Sequence, residues 1–303
     1  MFSNSSPSLR WLVTGAAGFI GGHLVAELRA SGCQVMAVDR RPSPGVERLD
    51  LADPADLPRL AELCRRADAV VHLAGRPGVR ERGPQARAAR RRDNVLATAR
   101  LLEVVPKAVP VVVASSSSVY GSCVGPSREG DPLRPLGDYG RSKLEAEMLC
   151  VACREAGWAV TVVRPFTVVG ERQRPDMALA RWIEAARTGR PIRVFGSLER
   201  RRDLTDVRDV VLGIRRVIET GFVGTVNLGS GRPIRLGEMV ETVMEVVGSR
   251  PPVVVEPGSA VEADLTWADT SLCEAELGFV PSLDLPSVVR RQAEACRPVA
   301  VSS

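Results

Sequence analysis

The segment Trp11-Leu12-Val13-Thr14-Gly15-Ala16-Ala17-Gly18-Phe19-Ile20-Gly21 joins two kinds of secondary structure through glycine. Trp11 to Thr14 is a short apolar run of strand type. Leu24, Val25 and Leu28 continue beyond the glycines with helical spacing. Glycines at 15, 18 and 21 have the spacing G-x-x-G-x-x-G. Such a turn lets backbone approach a pyrophosphate and aims a helix amino end at its charge. Asp39 closes the next strand, 18 residues after Gly21. A carboxylate there accepts from adenosine ribose hydroxyls and repels a 2′-phosphate, which favours NAD. Arg40 and Arg41 keep NADP open, and a glycine turn that merely packs is the simpler alternative.

Working outward, strands are expected at Gln34–Val38, Ala69–Leu73, Val111–Ala114 and Ala159–Val163. Helices are expected at Val95–Val105 and Asp138–Ala156. Continuous apolar strands alternating with helices predict a doubly wound parallel sheet, a Rossmann fold. Past Arg164 the segments shorten and prolines and glycines multiply. We expect a Rossmann domain over 9–165, with 203–228 packing back onto it, and a smaller α/β substrate domain over 166–303.

The 303 residues carry a net charge of +5 with ordinary globular composition. Lys107 and Lys143 are the only lysines, and arginine supplies the other 39 of 41 basic residues. That imbalance suits a coding bias better than a nucleic-acid partner. No apolar run reaches the roughly 18 residues of a membrane helix. The polar segment Met1–Ser8 does not read as a signal peptide, so a cytoplasmic protein is expected. Two histidines, His23 and His72, are too few and too distant for a histidine-rich metal site, and no metal is expected. Cys150 and Cys153 form a C-x-x-C inside a helix, not at the helix start that redox chemistry requires.

Tyr139 and Lys143 are four residues apart on one predicted helix face, downstream of a strand ending in Ser115-Ser116-Ser117-Ser118. An ammonium beside a phenol favours the phenolate. With the glycine loop, these residues resemble the extended short-chain dehydrogenase/reductase enzymes that act on nucleotide sugars. The resemblance runs from about Leu12 to Phe279. It takes in Asp39, Asp50 with Leu51, His72-Leu73-Ala74-Gly75, Ser116 to Gly121, Tyr139 with Lys143, Gly170, Arg174, Arg202-Asp203, Asp209 and Asn227 to Gly231.

The resemblance implies NAD held by Gly15, Gly18, Phe19, Ile20, Gly21, Asp39, Arg40, Asp50, Leu51, Leu73, Ala74, Tyr139 and Lys143. It implies Ser116, Tyr139 and Lys143 as the catalytic groups, and Arg174 and Arg202 on the nucleotide pyrophosphate. Val194, in the apolar segment Ile192–Phe195, would pass the uracil. Arg80 is a further candidate for the substrate phosphates or carboxylate. It also implies a homodimer formed through the Val95–Val105 and Tyr139–Ala156 helices.

Ser117 and Ser118 stand where related dehydratases carry an acidic pair, so water loss is disfavoured. Phe166-Thr167-Val168-Val169-Gly170 followed by Arg174-Pro175-Asp176-Met177 looks like the UDP-glucuronate 4-epimerases. Hydroxyls at Ser116, Ser117, Ser118 and Thr167 form a candidate neutral clamp for a sugar carboxylate. The expected activity is therefore NAD-dependent epimerisation at carbon 4 of UDP-glucuronate. A neutral UDP-sugar epimerase, a UDP-glucuronate decarboxylase and an NAD-binding regulatory module are the alternatives. Val169, Ser197-Leu198, Leu204 and Asp206 depart from the family pattern, and these departures bear on the shape of the sugar pocket.

Overall fold

The computed structural model describes residues 9–78, 83–259 and 261–295. In chain order the strands are β1 (Arg10–Thr14), β2 (Gln34–Asp39), β3 (Glu47–Arg48), β4 (Ala69–His72), β5 (Val111–Ala114), β6 (Val160–Pro165), β7 (Thr167–Val169), β8 (Ile192–Phe195), β9 (Arg201–Asp206), β10 (Thr225–Leu228), β11 (Pro233–Arg235) and β12 (Val253–Glu256). The helices are α1 (Phe19–Ala30), α2 (Leu57–Arg66), α3 (Pro84–Arg90), α4 (Ala97–Val104), α5 (Asp138–Glu155), α6 (Ala178–Thr188), α7 (Val207–Thr220), α8 (Leu236–Val247), α9 (Ser271–Leu277) and α10 (Leu285–Ala295).

Seven parallel strands form the large sheet in the order β10-β6-β5-β4-β1-β2-β3. Its inner strands are largely apolar because helices cover both faces. One face packs Leu24 and Leu28 of α1 with Val210 and Ile214 of α7 and Leu277 of α9. The other packs Leu60 and Leu63 of α2, Leu101 of α4 and Cys150 of α5. The doubly wound fold is the one expected.

Register sets the working edge. Thr14 lies level with Val38 and His72, and His72 with Val113. The segments that follow these strands, beginning at Gly15, Arg40, Leu73 and Ser115, therefore leave the sheet at one edge although they are far apart in sequence. Chain order reverses between β1 and β4, which opens a crevice there.

A smaller body packs α6, α8 and α10 around β7, β8 and β9 through Leu179, Ile183, Val240, Val243 and Val288. Its strands form one sheet of order β11-β9-β7 and the pair β12-β8. The chain crosses between the two bodies. Residues 203–206 belong to β9 in the small sheet, α7 packs on the large one, and β10 extends it beside β6.

The stretch expected as one helix from Val95 begins earlier and is irregular. α3 runs into a π-helical turn, Arg91–Leu96, which precedes α4. Among the described residues no helix is long and apolar enough to cross a membrane, and no group of three or more His, Cys, Asp or Glu could hold a metal ion.

Candidate active site

A cleft of about 1130 Å³ lies along the carboxyl ends of the large sheet and continues under the small body. Its first half is built mainly from backbone. Gly15 has φ +71° and lies so close to the loop after β4 that a Cβ there would fall 2.5 Å from the Ala74 amide nitrogen. A Cβ at Gly21 would fall 2.2 Å from the Gly15 carbonyl oxygen. Only glycine permits these approaches. Gly18 caps α1 without a side-chain bond, and the first turn of α1 has no acidic residue. Its amino end is therefore open to an anion.

Asp39 is buried at the cleft wall. Its Oδ2 accepts from the Ala17 amide at 3.1 Å and its Oδ1 from the Arg41 amide at 2.9 Å. Phe19, Ile20, Arg40, Asp50, Leu51, Leu73 and Ala74 line the same half. A glycine-bounded backbone cradle, an uncapped helix start and a carboxylate at the ribose end suit NAD.

The middle of the cleft holds Ser116, Tyr139 and Lys143. Ser116 caps the short 3₁₀ turn Ser117–Val119. Its Oγ accepts from the Ser118 amide at 3.1 Å and donates to Ser118 Oγ at 3.1 Å. Tyr139 and Lys143 are one turn apart at the start of α5. The Lys143 ammonium donates to the Ala114 carbonyl at 2.7 Å. Burial raises the Tyr139 pKa, while the Ser116 hydroxyl and the Arg174 and Arg90 charges pull it back down. Burial pushes Lys143 down to about 8, against the opposing pull of Glu147.

Glu147 lies one further turn along α5. It receives both arms of Arg164, at 3.0 and 2.6 Å, in a fully buried ion pair. Arg164 also donates to the Tyr120 hydroxyl at 2.8 Å, and Tyr120 to Asn227 at 2.7 Å. This network fastens α5 to β6 behind Tyr139 and Lys143. His72 sits between Thr14 Oγ1 at 2.8 Å and Thr98 Oγ1 at 3.0 Å, and burial drives its pKa down to about 3. It is a neutral core histidine.

The third part is shared between the loop after β5 and the small body. Ser116, Ser117, Ser118 and Thr167 line the cleft with Arg174 and Arg202. Arg174 forks onto Asp176 at 2.8 and 2.6 Å. Arg202 donates to the carbonyls of Arg201 at 2.9 Å and Asp264 at 3.2 Å.

Val194 requires a correction. It is fully buried in the small core with Ile192, while Arg193 and Phe195 face the cleft. Alternation along β8 puts the apolar residue inward. Arg80 lies outside the described residues.

Several cleft residues were not singled out from sequence. Arg172, at φ 65°, brings its guanidinium within 3.1 Å of where a Gly22 Cβ would be, so it reaches α1 from the small body. Arg181 lies over the Phe195 ring at 5.8 Å. Gln173 donates to the Val168 carbonyl at 2.8 Å and accepts from Gln292 of α10 at 3.0 Å, both side chains being buried. Arg172 and Gln173 adjoin Arg174 in sequence, which was the available signal; nothing local pointed to Gln292.

A profile of the NAD dependent epimerase/dehydratase family matches residues 11–229. The chain is 34% identical over 298 residues to an uncharacterized UDP-glucose epimerase, YtcB, of Bacillus subtilis (strain 168), covering 91% of this chain and 94% of that one. It is 32% identical to a probable UDP-glucuronate 4-epimerase of Rhizobium meliloti (strain 1021), covering 94% and 96%. Among solved structures, MoeE5 in complex with UDP-glucuronic acid and NAD superposes with TM-score 0.87 at 39% identity, covering 94% of this chain and 98% of that chain. UDP-glucuronic acid 4-epimerase from Bacillus cereus, in complex with UDP-glucuronic acid and NAD, gives 0.87 at 29%, covering 95% and 98%. With the glycine cradle and the central Ser116, Tyr139 and Lys143, these matches establish that the chain belongs to the NAD dependent epimerase/dehydratase family.

Proposed function

We propose that the protein interconverts UDP-glucuronate and UDP-galacturonate by epimerisation at carbon 4. The observation that carries this reading is the convergence of Ser116, Tyr139 and Lys143 on a cleft wall of hydroxyls, Ser116, Ser117, Ser118 and Thr167, with no carboxylate among them. Similarity to proteins solved with UDP-glucuronic acid and NAD supports it.

Gly15 to Gly21 and the amino end of α1 hold the cofactor pyrophosphate, and Asp39 accepts from the adenosine ribose. Bound NAD supplies a hydride acceptor that later acts as donor. Tyr139, as phenolate, takes the proton of the sugar 4-hydroxyl while Ser116 hydrogen-bonds the same oxygen. Lys143 holds its charge beside the phenolate and donates to a nicotinamide ribose hydroxyl. The sugar would pass through a 4-keto form before the hydride came back on the opposite face, when Tyr139 would return its proton to the 4-oxygen. Arg174 and Arg202 take the UDP phosphates.

A 4-keto glucuronate is a β-keto acid and loses carbon dioxide readily. Ser117, Ser118 and Thr167 hold its carboxylate out of the alignment that permits loss. A neutral UDP-sugar is the second reading. It is favoured by the pairing of Arg174 with Asp176, which neutralises one arginine of the cleft. We further place the protein in the cytoplasm as a homodimer joined through α4 and α5, where Met148 and Val151 of α5 and Leu96, just before α4, are exposed. Sedimentation of the wild type and of Met148→Glu tests the dimer: a dimer that Met148→Glu converts to monomer supports it.

The test of function is proton NMR of purified protein, with and without added NAD, on UDP-glucuronate, UDP-glucose and UDP-N-acetylglucosamine separately. Clean UDP-galacturonate is expected. A pentose product would remove the carboxylate clamp, and turnover of a neutral sugar alone would select the second reading.

A further inference from the structure

Asp93 lies in the π-helical turn before α4, and its carboxylate is only 6% exposed. It binds three guanidinium groups. Arg40, leaving the end of β2, places Nη1 2.8 Å from Oδ1. Arg76, in the loop after β4, places Nε 3.0 Å from Oδ2. Arg92 places Nη1 3.1 Å from Oδ1 and sends its other branch to Asp50 at 2.9 Å. Arg40, Arg76, Asp50 and Asp93 all line the cofactor half of the cleft, beside Asp39. One buried carboxylate thus joins the lip after β2 to the lip after β4 across the adenosine end.

We propose that the Arg40–Asp93–Arg76 bridge is a clasp that closes over the adenosine end of the cleft and retains NAD between turnovers. This rests on the reading of the cleft as an NAD site and is independent of which sugar is turned over. Retention suits the chemistry. The hydride taken from one sugar returns to the same sugar, so a cofactor lost in mid-cycle would strand the keto form.

The energetics suit a clasp rather than decoration. An isolated exposed ion pair contributes little to stability. Here a buried acceptor serves three donors, and removing it would leave three guanidinium groups together without their shared counter-charge. A planar guanidinium also packs well against a purine face. Arg40 is held by Asp93 and Arg41 by Asp39, so both arginines are already engaged by carboxylates in this arrangement.

The experiment is NAD dissociation from the full-length protein, loaded with NAD, freed of excess by gel filtration and followed by competition with a fluorescent analogue, with no sugar present. Asp93→Asn and Arg40→Met should each release NAD roughly tenfold faster, which corresponds to about 1.4 kcal/mol. The double variant should be no faster than the quicker single one, because one device is broken in each. Asp93→Glu should recover part of the loss. Arg40 is half exposed, so Arg40→Met carries the test even if Asp93→Asn does not fold. An unchanged release rate in a folded Arg40→Met protein, or effects that multiply in the double variant, would overturn the clasp. The expected NAD rates without turnover of any nucleotide sugar would sustain the clasp and remove the proposed function alone.

Discussion

The two ends of the cleft are made from different materials. The cofactor end is mostly backbone. Seven consecutive residues, Gly15 to Gly21, supply the turn, the close approach and the helix start. The sugar end is mostly side chains: Thr167 from β7, Arg172 and Arg174 from the following loop, Arg181 from α6, Phe195 from β8 and Arg202 from β9. Backbone recognition needs residues that leave room, and glycine announces itself. Side-chain recognition needs arms that land together, and nothing local announces where they land.

Tyr139→Phe should have the largest effect on activity. It removes the group that both ends serve, and kcat should fall about 10²- to 10⁴-fold. NAD should stay bound, as read by absorbance of the gel-filtered protein. Near-normal turnover would break the assignment, and loss of NAD with turnover would show that the two ends are not separable.

Glu147→Leu probes the support beneath both ends. Arg164 would be left buried without its partner, and unfolding in urea should show a loss of about 3–5 kcal/mol. Glu147→Leu combined with Arg164→Met should recover much of that. If the single variant is as stable as the wild type, the pair does not hold α5 to β6.

Thr167→Val sharpens the contrast at the sugar end. NAD affinity should be unchanged, while UDP-glucuronate either binds more weakly or yields pentose by-product visible by NMR. Clean, normal conversion would remove Thr167 from the clamp.

The smallest expected effect is on stability against pH. Lys143 has its pKa pushed down to about 8 in the folded protein, below its ordinary value. Above about pH 8 the folded protein has discharged this lysine while the unfolded chain still holds the proton. The unfolded state then binds more protons, so this group's contribution to stability rises with pH until the unfolded lysine also titrates. Lys143→Met should remove that rise. Identical pH profiles of unfolding free energy for the two proteins would contradict it.

Much of the frame was legible because its signals are local. Apolar runs ending at Thr14, Asp39, Leu73 and Ala114 read as buried parallel strands, and the glycine spacing marked the tight turn between β1 and α1. Tyr139 and Lys143 were visible through helical spacing. Two features misled or escaped. Ile192–Phe195 read as an apolar segment, but alternation along β8 sends Val194 into the core and gives the cleft to Arg193 and Phe195. The helix expected from Val95 hid a π-helical turn that carries Asp93, for which no local pattern prepared us.

Local stereochemistry and hydrophobic period therefore account for the strands, the helices, the glycine cradle and the Tyr139–Lys143 pair, because each rests on residues within a few turns of one another. Tertiary structure was needed to bring Ser116 to Tyr139, to set Gln292 of α10 against the loop bearing Arg174, and to hang Arg40 and Arg76 on one carboxylate. Such contacts join segments whose separation in sequence has no period. Only the register of the sheet and the packing of the small body upon it determine which side chains meet.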